Sequence, residues 1–140
     1  MHYISTPRIS YETAARAVAL AMEVGPRHGI RPVVAVADPS MTLVAYGVAD
    51  GATPHSAETS ARKAKTSAST GRPSGAIPEA LATALPLATG GALTRIDGGL
   101  PIYFDGVHVG ALGVAGGPPA TDREVALEVL ELLGADRIEA

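Results

Sequence analysis

The stretch PVVAVADPSMTLVAYGV, residues 32–48, carries two β-prone apolar runs separated by a short turn. The first run is continuous and of strand length, and Asp38-Pro39-Ser40 supplies residues that favour a chain reversal. The second run, MTLVAYGV, also favours a strand, so the two runs together predict a β-hairpin. Because both runs are apolar, both strands are predicted to be largely buried.

Predicted helices lie on both sides of this hairpin. Ser10 is a candidate N-cap for a helix that spans SYETAARAVALAMEV and ends before Pro26. After the hairpin, Thr53 is a candidate cap for a second long helix, which has Pro54 at its first position and ends at Gly71. In sequence order, the hairpin is therefore predicted to lie between two amphipathic helices.

The C-terminal half of the chain adds a shorter helix, a second hairpin and a last helix. The stretch IPEALATAL predicts the short helix, and Asp105-Gly106 between two β-prone runs predicts the hairpin. Thr121 and Glu124 form a capping box for the last helix. The resulting order, α-β-β-α-α-β-β-α, predicts a single α+β domain over residues 1–140 with a mostly antiparallel, five-stranded sheet.

Composition excludes several classes of function. A net charge of −3 and only five aromatic residues give no reason to expect a nucleic-acid partner. The chain has no cysteine and no HxH or HExxH spacing, so no dedicated metal site is predicted. The N-terminus lacks the pattern of a signal peptide, and charged residues interrupt the longest apolar stretch. We therefore predict a cytoplasmic protein without a membrane partner.

The second long helix has two neighbouring faces of different chemistry. One face is an all-alanine stripe, which is predicted to be the packed face and to allow close approach of a sheet or a symmetry mate. The other face surrounds Lys63 with hydroxyl groups, including those of Thr66 and Ser67. Such a lysine can bind a carboxylate or phosphate, whereas the alternative is an ordinary solvated face. The stripe consists of Ala57, Ala61, Ala64 and Ala68.

Four stretches, taken in order, resemble the GlcG/HbpS-like haem-degrading family: VAVADPSMTLVAYGVADGA, SARKAKTSASTGRPSG, GGLPIYFDGVHVGALGVAGG and TDREVA. Lys63 and Thr66 match the K-A-x-T pattern of that family, while the GGLPI stretch matches its GGxP loop. Ala115 departs from the pattern, since a serine is common there. The resemblance implies a profilin-like α/β domain that assembles as a homodimer or a larger homo-oligomer.

Two functions from different classes remain open. In the first, a pocket between the Lys63 helix and the glycine-rich sheet binds haem or another carboxylate-bearing small molecule. Lys63 and Arg72 then pair with carboxylates, and His55 can reach the iron. The predicted ligand-binding residues are Lys63, Thr66, Ser67, Arg72, Gly98, Gly99 and Pro101.

In the second, the same pocket is a cofactor-independent acid–base enzyme, such as an isomerase, cyclase or lyase acting on a small metabolite. His55 or Asp50 moves the proton, while Lys63 and the amides of Gly98 and Gly99 stabilise the developing oxyanion. Neither a GxSxG nor a GxGxxG motif is present. We favour ligand binding, because no residue pair in the sequence by itself demands chemistry.

Overall fold

The computed structural model describes residues 1–138, which form an antiparallel sheet with helices on both faces. Both predicted hairpins are present, and the α+β class with antiparallel strands is confirmed. The order of strands across the sheet is β2-β1-β4-β3, so β2 and β3 are the two edges. The strands are β1 (Val33–Ala37), β2 (Leu43–Val48), β3 (Gly99–Phe104) and β4 (Val107–Ala115).

Three long helices cover the sheet. α1 and α4 pack against each other on one face, and α2 crosses the other face over β1, β4 and β3. Ser10 caps α1 as predicted, because its Oγ accepts a hydrogen bond of 3.1 Å from the Thr13 N–H. Among residues 1–138, no helix is both long and apolar enough to cross a bilayer. The helices are α1 (Tyr11–Arg27), α2 (Ser56–Thr70), α3 (Ala84–Ala88) and α4 (Pro119–Leu133).

Within the described residues the sheet has four strands, so the prediction of five is wrong. The stretch before β3 contains β-forming residues, but its hydrogen bonds are made with elements outside the sheet. The Thr94 N–H donates to Thr66 Oγ1 on α2 at 2.9 Å, and Arg95 Nε donates to the Ile77 carbonyl at 2.8 Å. These bonds hold the stretch against α2 and the loop after it, and not in the sheet.

Two helix starts and the short helix also differ from the predictions. α2 begins at Ser56, two residues after its predicted start. α4 begins at Pro119, where the fixed φ of proline suits a first helical position, so Thr121 lies inside the helix and forms no capping box. The start of α4 has no side-chain cap in residues 1–138; Asp122 Oδ1 instead accepts the N–H of Gly117, the residue before the N-cap Pro118, at 2.9 Å. The stretch IPEALATAL contains a single 3₁₀ turn at Glu79–Leu81, whereas the five-residue α3 begins only at Ala84 and extends beyond the stretch to Ala88.

The two faces of the sheet are packed with side chains of different size. Valine, leucine and isoleucine fill the space beneath α1 and α4, whereas Ala35, Ala37 and Ala111 form a thin layer with Ala64 and Ala68 of α2. Because these side chains are so short, the α2 backbone lies close to the sheet. The face under α1 and α4 therefore contributes most of the apolar burial.

In the first hairpin, β1 is buried and β2 is not. All five residues of β1 are buried, as predicted, but the prediction of a buried β2 is wrong. α2 lies over the other three strands, so the β2 side chains that point to its side of the sheet remain exposed. Those side chains belong to Leu43, Tyr46 and Val48.

Candidate functional site

The hydroxyl-bearing face of α2 points into the protein. Ser60, Lys63, Thr66 and Ser67 are all buried, so this face is not solvated. Glycine makes the burial possible, because a Cβ added at Gly98 would lie only 2.8 Å from Lys63 Nζ. The predicted packed face of α2 is thus incomplete: Ala64 and Ala68 of the alanine stripe are buried, but so is the polar face beside them.

Lys63 forms a buried ion pair with Asp122, which lies in the first turn of α4. Lys63 Nζ is 2.9 Å from Asp122 Oδ2 and donates a second hydrogen bond of 2.8 Å to the Val114 carbonyl. The exposed fractions of the two side chains are 1% for Lys63 and 2% for Asp122. A single ammonium group therefore links α2, β4 and α4.

Burial brings the proton affinities of the two groups closer together. Loss of water lowers the pKa of Lys63, although the hydrogen bond and the charge of Asp122 oppose this shift. Loss of water likewise raises the pKa of Asp122, against the opposing effects of Lys63. Because a buried ion pair contributes little net stability compared with apolar residues of similar size, its presence is weak evidence for a stabilising role.

The ion pair lies at the base of an open cleft of about 390 Å³ between the N-terminal ends of α2 and α4, which we call the α2–α4 cleft. His55 immediately precedes α2 and is exposed on this cleft, so the structure brings two predicted residues, His55 and Lys63, into one site. The hydroxyl of Thr59 donates to the His55 carbonyl at 3.2 Å. The lining residues are Thr53, His55, Ser56, Thr59, Lys63, Ile96, Ala115, Gly116, Gly117, Pro119 and Asp122.

The hydroxyls of Thr66 and Ser67 lie in the packed interior, away from this cleft. Thr66 Oγ1 donates to the Arg62 carbonyl at 2.7 Å and accepts the Thr94 N–H. Ser67 Oγ is buried and has no hydrogen-bond partner among the described residues. Both residues therefore contribute to the packing of α2 against the sheet and its neighbouring loop.

The amides of Gly98 and Gly99 are already bonded within the protein. The Gly98 N–H donates to Asp97 Oδ1 at 3.0 Å, and the Gly99 N–H donates to Ser74 Oγ at 2.9 Å. A side chain at Gly99 would collide with the Lys63 carbonyl and would lie 2.9 Å from Ser67 Oγ. The geometry thus favours a packing role for the two glycines over the predicted oxyanion role.

The remaining predicted residues are distributed elsewhere. Arg72 and Pro101 line a second, shallower cavity of about 300 Å³ beyond the C-terminal end of α2, together with Tyr103 and Arg137. Asp50 is exposed in the turn after β2 and is not among the residues that line the α2–α4 cleft. Among the described residues, the predicted ligand-binding and catalytic residues therefore do not line one common pocket.

Asp122 is the functional candidate that the sequence reasoning missed. An aspartate in the first turn of a helix is ordinarily explained by capping and by the helix dipole, and Asp122 Oδ1 does accept the N–H of Gly117, just before the helix. Nothing in the local pattern connects it to a lysine 59 positions earlier. A weak signal was present, however, because a lysine on the face of α2 that meets a glycine-rich strand needs a buried counter-charge.

Comparison with solved structures places the fold among known ones. The Klebsiella pneumoniae protein ORFY is 22% identical and has a TM-score of 0.89, with 98% of each chain covered. The crystal structure titled PduOC:Heme Complex is 19% identical and has a TM-score of 0.86, covering 94% of this chain and 99% of that one. At these identities the two structures show a shared fold and nothing further.

Two further comparisons concern the family. HbpS, known from its crystal structure, is 30% identical to this chain, with a TM-score of 0.83 and 95% of each chain covered. No curated protein sequence matches the chain. The family model described as "Haem degrading protein HbpS-like" matches residues 9–131, which include both hairpins, α2 and the residues of the Lys63–Asp122 pair. The chain therefore belongs to the HbpS-like family of haem-degrading proteins.

Proposed function

We propose that this protein binds a small carboxylate-bearing molecule, with haem as the leading candidate, in the α2–α4 cleft. The observation that carries the proposal is the meeting of an exposed imidazole, His55, and a buried ammonium group, Lys63, on one cleft. Membership of the haem-degrading HbpS-like family supports haem as that ligand. A cleft of about 390 Å³ lies within the common range of ligand pockets.

The donor set of the cleft fits this class of ligand. Haem offers an iron that accepts an axial histidine, and two propionates that accept hydrogen bonds. His55 is the imidazole that can serve as axial ligand, and Ile96 and Pro119 provide apolar contact. Lys63 Nζ donates to the Val114 carbonyl and to Asp122, and we assign its third N–H to a ligand carboxylate. Thr59 adds a hydroxyl on the same wall.

A haemin titration tests the proposal. We expect saturable binding with a sharp Soret band, and we expect His55→Ala to weaken binding by about tenfold or more, equivalent to about 1.4 kcal/mol, with a shifted band. His28→Ala is the matched control, since His28, at the C-terminal end of α1, does not line the cleft and lies beside Glu128 on α4, with 3.3 Å between Nε2 and Oε1. A wild type without saturable binding contradicts haem as the ligand, and an unchanged His55→Ala spectrum contradicts the axial role.

The Lys63–Asp122 pair favours a second candidate function, a cofactor-independent acid–base enzyme. Two buried groups whose proton affinities have been drawn together can take a proton from a substrate carbon and return it to a neighbouring one. His55 on the rim of the cleft can act as the second proton carrier. This activity and ligand binding would use the same cleft, so a test of proton transfer is needed to separate them.

Exchange of substrate protons with deuterated water provides that test. We expect one member of a panel of small hydroxy and keto acids to incorporate deuterium in the presence of the protein, as followed by NMR. Asp122→Asn should slow the exchange by about 100-fold or more, because it removes the carboxylate from the pair. Asp38→Asn, another buried aspartate at a distance from the cleft lining, should leave it unchanged. Equal slowing in both variants would argue against the acid–base role.

A further inference from the structure

The two lysines of the chain, Lys63 and Lys65, lie two positions apart on α2 but in different surroundings. Lys65 is partly exposed, whereas only 1% of the Lys63 side chain is exposed, at the base of the α2–α4 cleft. A lysine on a helix ordinarily keeps its ammonium group in water, because burial of that charge is costly. The fold therefore holds one of two neighbouring amines out of water and on a cleft.

The surroundings of Lys63 suit a nucleophilic amine. Loss of water lowers its pKa, against the opposing hydrogen bond and charge of Asp122, and a lower pKa raises the share of neutral amine. Asp122 Oδ2 lies 2.9 Å from Nζ, so it is the group to which the ammonium can pass its proton. Burial favours this transfer as well, because it raises the pKa of Asp122. A neutral amine beside a protonated carboxyl group is the state that attacks a carbonyl carbon.

The cleft around this amine suits a small, negatively charged ligand. Ala115, Gly116 and Gly117 line it together with the ion pair, and their small size leaves room for a ligand next to Nζ. The N-terminal ends of α2 and α4 meet at the same cleft, and their dipoles add to the attraction of Lys63 for an anionic group. A 2-oxo acid offers both a carbonyl carbon for the amine and a carboxylate for this positive end of the cleft.

We propose that Lys63 forms a Schiff base with the carbonyl carbon of a small 2-oxo acid bound in the α2–α4 cleft. The proposal rests on the second function proposed above, acid–base catalysis without a cofactor, and gives it a substrate class.

The proton balance of this step runs through Asp122. The ammonium of Lys63 passes a proton to Asp122, the neutral amine attacks the carbonyl carbon, and the carbonyl oxygen takes that proton from Asp122. The nitrogen then gives a second proton to Asp122, which returns it to the hydroxyl as water leaves and the C=N bond forms. The product is an iminium cation beside the Asp122 carboxylate. This cation withdraws electrons from the neighbouring substrate carbon, so a proton on that carbon is removed more easily.

Reductive trapping with sodium cyanoborohydride tests the proposal, with pyruvate and glyoxylate as probes. We expect mass spectrometry of the intact chain and of its peptides to find a reduced adduct at Lys63, formed at least about tenfold faster than at Lys65 or at the N-terminal amine. Lys63→Arg should lose this adduct while it keeps a positive charge beside Asp122. Lys65→Arg is the matched control on the same helix, and we expect it to be labelled as the wild type is.

The wild-type chain itself supplies the comparison between Lys63 and Lys65, so the test does not depend on how well a Lys63 variant folds. Labelling of Lys65 as fast as of Lys63, or the lack of an adduct at Lys63 with both acids, overturns the proposal. Deuterium exchange into pyruvate without an adduct at Lys63 overturns the Schiff base alone and leaves the acid–base function in place. An adduct at Lys63 without such exchange supports the Schiff base and contradicts the proton transfer.

Discussion

Lys63→Met should lower the free energy of unfolding by about 3–5 kcal/mol, because it leaves the Asp122 carboxylate buried without its partner. Methionine keeps the length and much of the volume of the lysine side chain, so the loss reports the missing charge and not a cavity. Arg62→Met is the matched control on the preceding residue, since Arg62 is half-exposed and pairs with Glu58 on the surface. We expect its effect to stay within about 1 kcal/mol, as measured by urea denaturation.

The deficit of Lys63→Met should depend on pH in a defined direction. In this variant the hydrogen bond and the charge that lower the pKa of Asp122 are gone, while burial still raises it. A carboxyl group whose folded pKa exceeds its unfolded value binds its proton more tightly in the native state, so stability falls as pH rises through the folded pKa. The deficit is therefore expected to be smallest in acid and to grow towards neutral pH. A deficit independent of pH would contradict an uncompensated carboxylate.

A double variant separates the structural role of the pair from its functional role. Lys63→Met with Asp122→Asn removes both charges, and the asparagine Oδ1 can still accept the Gly117 N–H. We expect it to recover most of the stability, because neutral replacement of a buried ion pair costs little. If the recovered protein no longer binds haemin or exchanges substrate protons, the pair is present for function. Unimpaired binding and exchange would assign the pair to folding alone.

Local backbone chemistry explains which parts of the fold could be predicted. Asp105 and Gly106 both adopt positive φ, 52° and 78°, as a two-residue hairpin turn requires, and the Asp-Gly sequence specifies this. The Ser10 cap is equally local. The exposed β2 could not be foreseen, because its apolar composition is that of a buried strand. Its exposure follows from where α2 crosses the sheet, which is a tertiary property.

The candidate site also contains residues that the local sequence indicates and residues that only the tertiary structure reveals. The spacing on α2 predicts Lys63 and His55 as site residues, and the structure places both on the α2–α4 cleft, since both positions follow from the periodicity and the start of one helix. The partner of Lys63 could not be predicted, because the chain reaches Asp122 only after the whole second hairpin. Gly98 was interpreted as a source of a backbone amide, whereas its role is to leave space for the lysine side chain. A glycine pattern indicates that another group packs closely against the backbone, but it does not identify that group.

Among glycine-to-alanine substitutions in the sheet, Gly113→Ala should lower the free energy of unfolding most. A Cβ at this position would collide with the Ser60 carbonyl and would lie 2.5 Å from the Ala64 nitrogen, both of them α2 backbone atoms. The backbone of a packed helix cannot yield locally, so α2 must move away from β4 and disturb the Lys63–Asp122 distance. We expect a loss of about 3 kcal/mol in the free energy of unfolding, measured by urea denaturation, together with weaker haemin binding.

Gly47→Ala is the control that makes this result interpretable. Gly47 is also a strand glycine, but a Cβ there would meet side-chain atoms, Val18 Cγ1 at 2.7 Å and Met22 Cε at 3.0 Å, and not the backbone of a packed helix. We expect a loss of about 1 kcal/mol, clearly smaller than that of Gly113→Ala. Equal losses in the two variants would mean that α2 does not rest on Gly113. The buried position of Lys63, which depends on that close approach, would then need another explanation.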